Sequence, residues 1–387
     1  MAKRKRLSAA IDLGSSLIKI VGMCDGAMSA VVMSPELIAV NRGSLDNGAN
    51  YSLGKGSATA TVDYCFVGVN DNYYAVGDLA QRFGALQRFK PLKTESAAYK
   101  ILAVVAILAE RFGLGHNFDL SIGCLLPPGE LMDRELLKQQ LIEFLPDFDA
   151  PQGRMNVNLV ESCFHPEGAG ILELYRDRHP ASRKSSVGML MAGHRNLTCY
   201  VTKNGVITHF ASCDLGFSNW VKEVVKRTAG YKLETLTGAI ANYWFAQDAT
   251  ALKPILRRQD ERTAAQELAH LIEVLESTNE TYCNMVFDWL NEHLPTDIEE
   301  MMISGGTADV LKDELVSYFD EKLPPRPQLN GKAAIYYSNT GFNLPELDVP
   351  PECQSRMADV YCLWQYLMSK PQPKLSKSRT KSTVEAK

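Results

Sequence analysis

A strand–turn–strand–hairpin–strand block occurs twice in this chain, and that duplication limits the fold more than any other feature. The first copy predicts strands at residues 7–12, 17–23 and 28–40, and the second predicts strands at 187–192, 197–203 and 206–212. Their turn glycines, Gly14 and Gly193, and their hairpin pairs, which begin at Asp25 and Asn204, share one offset of 179 residues (193 − 14 and 204 − 25). Asp-Gly and Asn-Gly are strong signals for a two-residue hairpin. Two such blocks at one offset indicate a molecule of two similar halves.

The remaining pattern places strands and helices around both copies. With 387 residues, 45% of them apolar, the chain suits two domains that each bury a core. The apolar spacing and turn residues predict further strands at 118–126, 157–160 and 300–304. They also predict helices at 94–111 with a cap at Thr94 and a stop at Gly113, at 264–294 with a cap at Thr263 and a break near 277–279, at 308–319, and at 357–368. This alternation of strands and helices predicts an α/β protein.

Charge and composition argue against several classes of protein. A net charge of −4 is unlike the basic surface of a general nucleic-acid binder, so we expect any DNA contact to be local or through a partner. The longest apolar run, residues 101–109, is far shorter than the roughly 20 residues that span a bilayer. Asp12 interrupts the apolar stretch after the basic start, so we expect no signal peptide and a soluble protein. Nine cysteines without a C-x-x-C pair predict reduced thiols in a cytosol.

The turn after the first strand carries residues suited to phosphate. Gly14 lets the backbone approach a ligand closely, and the hydroxyls of Ser15 and Ser16 are available as hydrogen-bond donors beside the turn amides. Asp12 precedes the turn, where an oxygen ligand for hydrated Mg²⁺ is expected, and Lys19 on the outgoing strand adds a positive charge. An ordinary hairpin with a polar tip is the alternative that these residues leave open.

A second glycine turn follows the strand at 300–304. Gly305, Gly306 and Thr307 lie between that strand and a helix, and helix N-termini attract anions. Glycines also leave a flat floor for a base or a ribose. A single Gly-Gly turn is weak evidence, and its weight comes from its position after both duplicated blocks.

These loops resemble those of a known superfamily. Residues 11–16 with Lys19 resemble the first phosphate loop of the actin, sugar-kinase and heat-shock-chaperone superfamily, and residues 303–308 resemble its adenosine loop. The strand at 118–126, the segment 156–170 and the Asp-Leu-Gly sequence at 214–216 follow in the order of ParM-like actins, the filament-forming ATPases of plasmid segregation. The resemblance extends over residues 7–368, and the order of the motifs carries most of it.

The resemblance implies an actin-like fold, in which two ribonuclease-H-like α/β domains flank a nucleotide cleft. It implies one domain from residues 1–181 with 335–369 and a second from 182–334. The polar, basic composition of residues 370–387 separately predicts a disordered tail. It further implies ATP (or GTP) with Mg²⁺ in the cleft and Asp12 at the metal. The implied nucleotide contacts are Asp12, Gly14, Ser15, Ser16 and Lys19 in the first loop, Gly193, His194, Arg195 and Asn196 in the second, and Gly305, Gly306 and Thr307 at the nucleoside.

The second phosphate loop departs from the family pattern. Met191 stands where the family has an aspartate and where the internal offset places the equivalent of Asp12. A thioether does not bind hard Mg²⁺ or orient an attacking water. His194 and Arg195 are expected to bring donors and positive charge to this loop instead. We therefore expect nucleotide binding with slow or absent hydrolysis.

The family's water-positioning residue lies on a loop that follows a strand, here predicted at residues 161–168. His165 falls nearest to that position and Glu167 is the neighbouring candidate, so these two are the predicted catalytic residues. Glu161 is a further neighbour. A solvated polar loop is the alternative reading of the same residues.

By the resemblance, the protein assembles with its own copies into filaments and binds a small adaptor of the ParR type. Two cellular roles remain open: DNA segregation, or a cytoskeletal scaffold in cell shape or positioning. The basic residues near both termini fit DNA, an acidic partner or a membrane surface, but also plain solubility. A small-molecule kinase of the same superfamily is the alternative function, disfavoured because the second loop lacks an aspartate; a peptide-binding chaperone fits less well, because no substrate domain follows the last helix.

Overall fold

The computed structural model describes residues 4–45, 59–85, 93–228, 230–258, 260–337 and 344–369. The predicted tail at 370–387 lies outside these residues. The described part forms two sheets, of nine and five strands. The strands are β1 (Arg6–Leu13), β2 (Ile18–Cys24), β3 (Ala27–Met33), β4 (Leu37–Val40), β5 (Cys65–Val69), β6 (Asn72–Val76), β7 (Asn117–Leu126), β8 (Phe148–Ala150), β9 (Gly153–Pro166), β10 (Val187–Ala192), β11 (Leu197–Lys203), β12 (Val206–Cys213), β13 (Glu300–Ser304) and β14 (Ile335–Tyr337).

Helices cover the sheets and join them. The α-helices are α1 (Asp78–Arg82), α2 (Lys93–Arg111), α3 (Arg134–Phe144), α4 (Ala169–Arg178), α5 (Phe217–Arg227), α6 (Leu233–Ala246), α7 (Glu261–His293), α8 (Gly306–Val310), α9 (Lys312–Lys322) and α10 (Ala358–Ser369). Short 3₁₀ turns lie at Pro128–Asp133, Pro180–Arg183, Ala249–Ile255, Pro327–Leu329, Pro351–Cys353 and Ser355–Met357. Among the described residues, no helix has both the length and the apolar character needed to cross a membrane.

The predicted duplication is confirmed strand by strand. The order β3-β2-β1-β7-β9 in the larger sheet matches the order β12-β11-β10-β13-β14 in the smaller one. In both units the first three strands are antiparallel and the later strands run parallel to the first. Asp12 on β1 pairs with Lys19 on β2, and Met191 on β10 pairs with Thr198 on β11, in the same register. Asp25 and Asn204 both have positive φ, 50° and 51°, as the two-residue hairpin turn requires.

Several predicted boundaries change. The predicted third strand at 28–40 divides into β3 and β4 around Pro35, since proline cannot donate to a ladder, and β4 pairs with β6 at the far edge of the sheet. The strand predicted at 157–160 extends as β9 from Gly153 to Pro166, so the loop expected at 161–168 is mostly strand. The helix predicted at 308–319 is two helices, α8 and α9. β14 pairs with β13, so the second half of the molecule extends past the predicted boundary at residue 334.

The predicted caps of two helices are wrong. Thr94 lies inside α2, and its backbone N–H donates to the Glu130 carboxylate at 3.0 Å, so a distant side chain stabilises this end. Asp260, not Thr263, caps α7, because its carboxylate accepts from the Thr263 N–H at 3.0 Å. Gly113, with φ 56°, is confirmed as the stop of α2.

The two sheets have separate apolar cores. Helix α2 is buried over most of its length, where it packs against β1, β5 and β6. A second core lies between the smaller sheet and helices α5, α6 and α7. Helix α10 packs against β1 and β2 through Val360 and Leu363, which lie in one cluster with Ala10 and Val21. This packing brings the end of the chain back to the first duplicated block.

Candidate functional site

A cavity of about 360 Å³ lies where the two duplicated turns and the glycine turn after β13 converge. This volume falls in the ordinary range of ligand sites. The residues of the predicted site that line the cavity are Asp12, Gly14, Ser15, Ser16, Lys19, Glu167, Gly193, His194, Gly305, Gly306 and Thr307. Segments separated by most of the chain length therefore contribute to one site.

The first loop has a buried ion pair at its base. Asp12 is 5% exposed at the end of β1, and its carboxylate forms an ion pair with the Lys19 ammonium on β2. The pair lies in register across the hairpin, so the sheet itself fixes both side chains. A Cβ on Gly14 would lie 2.4 Å from the Leu17 carbonyl oxygen, so only glycine allows this tight turn. The turn presents Ser15 and Ser16 to the cavity.

The second loop is held by its own carbonyl oxygens. The Gly193 carbonyl accepts from the Thr307 hydroxyl at 2.7 Å and from the Phe217 N–H at 3.3 Å. The His194 carbonyl accepts from the Ser218 N–H at 2.8 Å. These amides belong to the first turn of α5, which usually offers its N–H groups to an anion. Here those two amides are already used to hold the loop.

His194 is neutral at pH 7. Burial, together with the positive charges of Arg356 and Lys222, lowers its pKa to about 4. The positive charge expected from His194 is therefore not present. Met191 lines the cavity opposite Thr198, whose hydroxyl lies 3.0 Å from Ser212 Oγ. The ion pair of the first loop thus has no counterpart in the second.

The glycine turn after β13 requires glycine at its first position. Gly305 has φ +107°, and a Cβ there would lie 2.2 Å from the Ala192 carbonyl oxygen. Gly306 begins α8, and a Cβ on it would lie 3.5 Å from Arg356 Nε. Thr307 is 1% exposed and uses its hydroxyl to hold Gly193, so its hydroxyl has a structural contact. The turn lines the cavity together with the two phosphate-loop candidates.

Four lining residues near the C-terminal helix were not predicted. Arg356 donates from Nη2 to Ser16 Oγ at 2.6 Å, and Ser355 donates to Asp309 at 2.9 Å. Asp359 accepts from the Gly168 and Ile171 N–H groups at 2.5 and 3.3 Å, which caps α4. Burial raises the pKa of Asp359 to about 7, offset by these bonds, and the Asp12 charge adds to the increase.

Helix α6 forms a further wall that sequence reasoning missed. Thr237, Gly238, Ala241 and Asn242 line the cavity from this helix. Nothing lies within 4 Å of a Cβ built on Gly238, so this wall faces open space. The helical glycine was the only sequence signal available, since a glycine in a helix interior often has a packing or functional reason.

Three predicted site residues do not line this cavity. His165 lines a second cavity with Tyr366, and their ring centroids lie 5.2 Å apart. Its interpretation as a water-positioning residue does not fit this placement. Arg195 and Asn196 use their carbonyls for the Gly216 and Gly193 N–H groups, at 3.0 and 2.9 Å, and their side chains lie outside the cavity lining.

The donor set fits the phosphates and nucleoside of a nucleotide. Hydroxyls and two cations, Lys19 and Arg356, face the cavity beside glycine turns that a Cβ would block. The set does not by itself fit a Mg²⁺ ion. Asp12 is engaged by Lys19, and the described residues include no group of three or more metal-ligating side chains. The predicted metal contact at Asp12 stays a prediction.

The described structure resembles solved structures over nearly its whole length, although no family model and no curated protein matches the sequence. The actin-like protein Alp7A superposes with a TM-score of 0.62 at 12% identity, over 93% of this chain and 95% of that one. Bacillus thuringiensis ParM with AMPPNP superposes with a TM-score of 0.56 at 10% identity, over 94% and 99% of the two chains. The chain has the actin-like fold. The Alp12 filament structure gives a TM-score of 0.54 at 10% identity, over 94% and 98%.

The actin-like fold explains why the sequence repeats. Each half contains one copy of the five-stranded unit, and both copies turn the loop after their first strand toward the same cavity. Identities of 10 to 12% show that this fold is shared without a shared sequence. What the site binds must therefore be argued from the residues of this chain.

Proposed function

We propose that this chain is a nucleotide-binding protein of the actin-like fold that polymerises into filaments. The observation that carries the proposal is the convergence of Gly14, Gly193 and Gly305 on one cavity. Two of these glycines are equivalent positions of the duplicated block, and each turn leaves backbone open to a ligand. ATP or GTP is the ligand that suits such a cavity, since it offers phosphates to one wall and a base to another.

The chemistry of the cavity walls supports a nucleotide. Ser15, Ser16, Lys19 and Arg356 bring hydroxyls and positive charge for phosphate oxygens. The wall from α6 and α8 is mostly small, apolar or amide-bearing, which suits a base and a ribose. The solved structure of ParM with AMPPNP, which has the same fold, adds support by likeness.

Filament formation rests on the fold and not on a contact seen in this chain. A solved structure with this fold is of a filament, Alp12. Copies of this chain are proposed to join through two different surfaces, a heterologous contact that gives an open polymer when its rotation does not close into a ring. Self-association is thus the first partner interaction to test.

Hydrolysis is proposed to be slow or absent. Met191 occupies the position equivalent to Asp12 and offers no oxygen ligand or base to the cavity. Glu167 lines the cavity and is the remaining candidate to position a water, because His165 lies in a different cavity. One candidate acid without a second-loop carboxylate is a poor arrangement for attack on a phosphate.

The first experiment tests nucleotide binding with a variant that fills the cavity. Gly238→Phe adds a ring at an exposed helical position with open space around it, so the fold should persist while the wall for the base is blocked. We expect ATP or GTP affinity to fall at least about 10-fold, the effect of losing a few well-made contacts. Gly238→Ala is the matched control and should bind like the native protein.

Calorimetry measures the binding, and high-speed pelleting with electron microscopy measures the polymer. We expect nucleotide-dependent filaments from the native protein and Gly238→Ala, and fewer from Gly238→Phe. No heat with any purine triphosphate would overturn the nucleotide proposal. Nucleotide binding without filaments, together with phosphorylation of a sugar or an acid, would instead favour the kinase alternative, which the absence of a second-loop carboxylate at Met191 disfavours.

The proposed cellular roles are DNA segregation or a cytoskeletal scaffold, in the cytoplasm. A polymer that turns over slowly suits a scaffold better than a searching spindle. A small adaptor of the ParR type is the proposed link to cargo, and the basic residues near the termini are a possible further contact. Localisation of a tagged protein, at plasmid foci or along the envelope, separates the two roles.

A further inference from the structure

Arg356 lies within reach of all three loops of the cavity. Its Nη2 donates to Ser16 in the first loop at 2.6 Å. A Cβ on Gly306, in the glycine turn, would lie 3.5 Å from its Nε. Its positive charge also acts on His194 in the second loop, where it adds to the lowering of the pKa by burial. The guanidinium is therefore in the middle of the site and not at its rim.

The backbone that carries Arg356 is held from both sides. Met357, the next residue, is fully buried in the cluster formed by β1, β2 and α10. Ser355, the preceding residue, donates to Asp309 of α8 at 2.9 Å. The 3₁₀ turn is thus fixed to the first sheet and to the glycine turn at once. A side chain on such a support is preorganised for a ligand.

The two cations of the cavity differ in how their charge is balanced. Lys19 forms a buried ion pair with Asp12, which compensates most of its charge. Among the described residues, no carboxylate forms an ion pair with Arg356, and its hydrogen bond goes to a neutral hydroxyl. An anion in the cavity would therefore be attracted mainly by Arg356.

Metal-ligating oxygens are sparse in the same place. The position equivalent to Asp12 is Met191, and Asp359 already accepts two backbone N–H bonds that cap α4. The described residues hold no group of three or more metal-ligating side chains. Glu167 and Asp309 also line the cavity, but Asp309 already accepts from Ser355, and among the described residues these carboxylates form no group of three ligands for a divalent cation.

We propose that Arg356 binds the phosphate tail of the nucleotide directly and supplies the positive charge there, so that nucleotide binding does not require Mg²⁺. The inference rests on the proposed nucleotide site. A planar guanidinium can donate two parallel N–H bonds to phosphate oxygens and carries a positive charge, so it can bind the phosphate tail without a metal ion. The guanidinium would then donate both to the Ser16 hydroxyl and to the phosphate.

The test compares affinities for ATP and for AMPPNP by calorimetry, with Mg²⁺ and with EDTA. We expect the native protein to bind with similar affinity in both conditions. Arg356→Gln should lose about 10- to 100-fold in affinity, the effect of removing a charge-assisted hydrogen bond. Arg134→Gln, which removes an exposed arginine from the start of α3, is the matched control and should bind like the native protein.

Two further measurements separate a phosphate contact from a structural role. Affinity for adenosine, which lacks phosphate, should be the same for Arg356→Gln and the native protein. Adding Met191→Asp to Arg356→Gln should restore ATP binding only when Mg²⁺ is present, because it returns a carboxylate to the second loop.

The outcomes are distinct. A native protein that binds no nucleotide overturns the proposed function and the inference with it. A native protein that binds ATP but loses at least about 10-fold in affinity with EDTA, the size of one charge-assisted contact, keeps the proposed function and overturns the inference. Equal loss of adenosine and ATP affinity in Arg356→Gln overturns it as well, since the residue would then act on the fold and not on phosphate.

Discussion

Single residues distinguish the two copies of the duplicated block. The Asp12–Lys19 ion pair of the first hairpin becomes Met191 opposite Thr198 in the second, in the same register. A carboxylate and an ammonium are thereby replaced by a thioether and a hydroxyl at the same backbone positions. Both copies keep the same strand pairing, because the backbone hydrogen bonds of a ladder do not depend on these side chains. Only the side chains that face the cavity differ.

Protonation of His194 provides a prediction on pH. Its pKa is lowered from 6.5 to about 4 in the folded protein, chiefly by burial. Because the folded state holds the neutral ring, its contribution to stability is full above pH 6.5 and is lost as the pH falls toward 4. We expect the free energy of unfolding of the native protein, minus that of His194→Gln, to fall over this window and to be constant above it. Urea unfolding at a series of pH values measures the difference.

Taking the difference between two proteins isolates this one group. Asp359 has a pKa raised to about 7 by burial, and its opposite trend is common to both proteins and cancels. His209→Gln, on the exposed strand β12, is the matched control, since it makes the same substitution at a solvent-exposed position. A difference for His194→Gln that is flat from pH 4 to 8 would contradict the assignment of a buried neutral ring.

At the scale of elements, α7 shows how tertiary contacts override a local signal. Ser277, Thr278 and Asn279 predict a break, since such residues compete with the backbone for hydrogen bonds. The helix nevertheless continues from Glu261 to His293. The Thr278 hydroxyl donates to the Val274 carbonyl at 2.7 Å and accepts from Trp220 Nε1 at 2.9 Å. The hydroxyl is thus satisfied within the helix and joins it to α5.

Removing that hydroxyl should destabilise the protein. Thr278→Val keeps the shape of the side chain but leaves the indole N–H of the fully buried Trp220 without its acceptor. We expect a loss of about 1–3 kcal/mol in the free energy of unfolding, the cost of an unsatisfied buried polar group. Thr281→Val is the matched control on the same helix, since its exposed hydroxyl also donates to the carbonyl four residues earlier. Equal effects of the two substitutions, measured by urea unfolding, would show that the Trp220 contact contributes nothing.

At the scale of the whole molecule, the cavity joins the two sheets. The 3₁₀ turn at Ser355–Met357 is packed on the larger sheet, yet it bonds to α8, which follows β13 of the smaller sheet. A ligand held by the loops of both units would strengthen this link. Binding to the folded state alone stabilises that state by an amount that grows with the logarithm of the ligand concentration. With slow hydrolysis, the nucleotide would stay bound and keep the two sheets linked. A polymer built from such subunits would then persist for long periods.

The lifetime of the polymer tests this consequence. We expect filaments assembled with ATP to persist as long as filaments assembled with AMPPNP, whose terminal bond resists hydrolysis, because the cavity lacks a second-loop carboxylate at Met191. Light scattering over time, with phosphate release measured in the same samples, provides the comparison. Faster loss of the ATP polymer, accompanied by phosphate release, would show that hydrolysis is active despite Met191.

The sequence alone determined the features that depend on neighbouring residues. The Asp-Gly and Asn-Gly hairpins, the glycine stop of α2 and the register of Asp12 with Lys19 all follow from backbone preferences within a few residues. The constant offset then placed Met191 before any coordinates were needed. Ten of the twelve predicted nucleotide contacts line one cavity for the same reason, since turns at equivalent positions of a duplicated unit face the same way.

Only the tertiary structure decided which distant residues meet. Ser16 and Arg356 are 340 residues apart, and no periodicity or spacing connects them. The sequence also did not predict that Glu130 would bond to the start of α2 or that Trp220 would bond to α7. Nor did it predict that His165 would line another cavity. The strength of each of these contacts depends on burial and on the position of a partner, and both are properties of the packed molecule. The sequence predicts the turns that shape this site. The positive charge of Arg356 reaches the centre of the site only because α10 packs against β1.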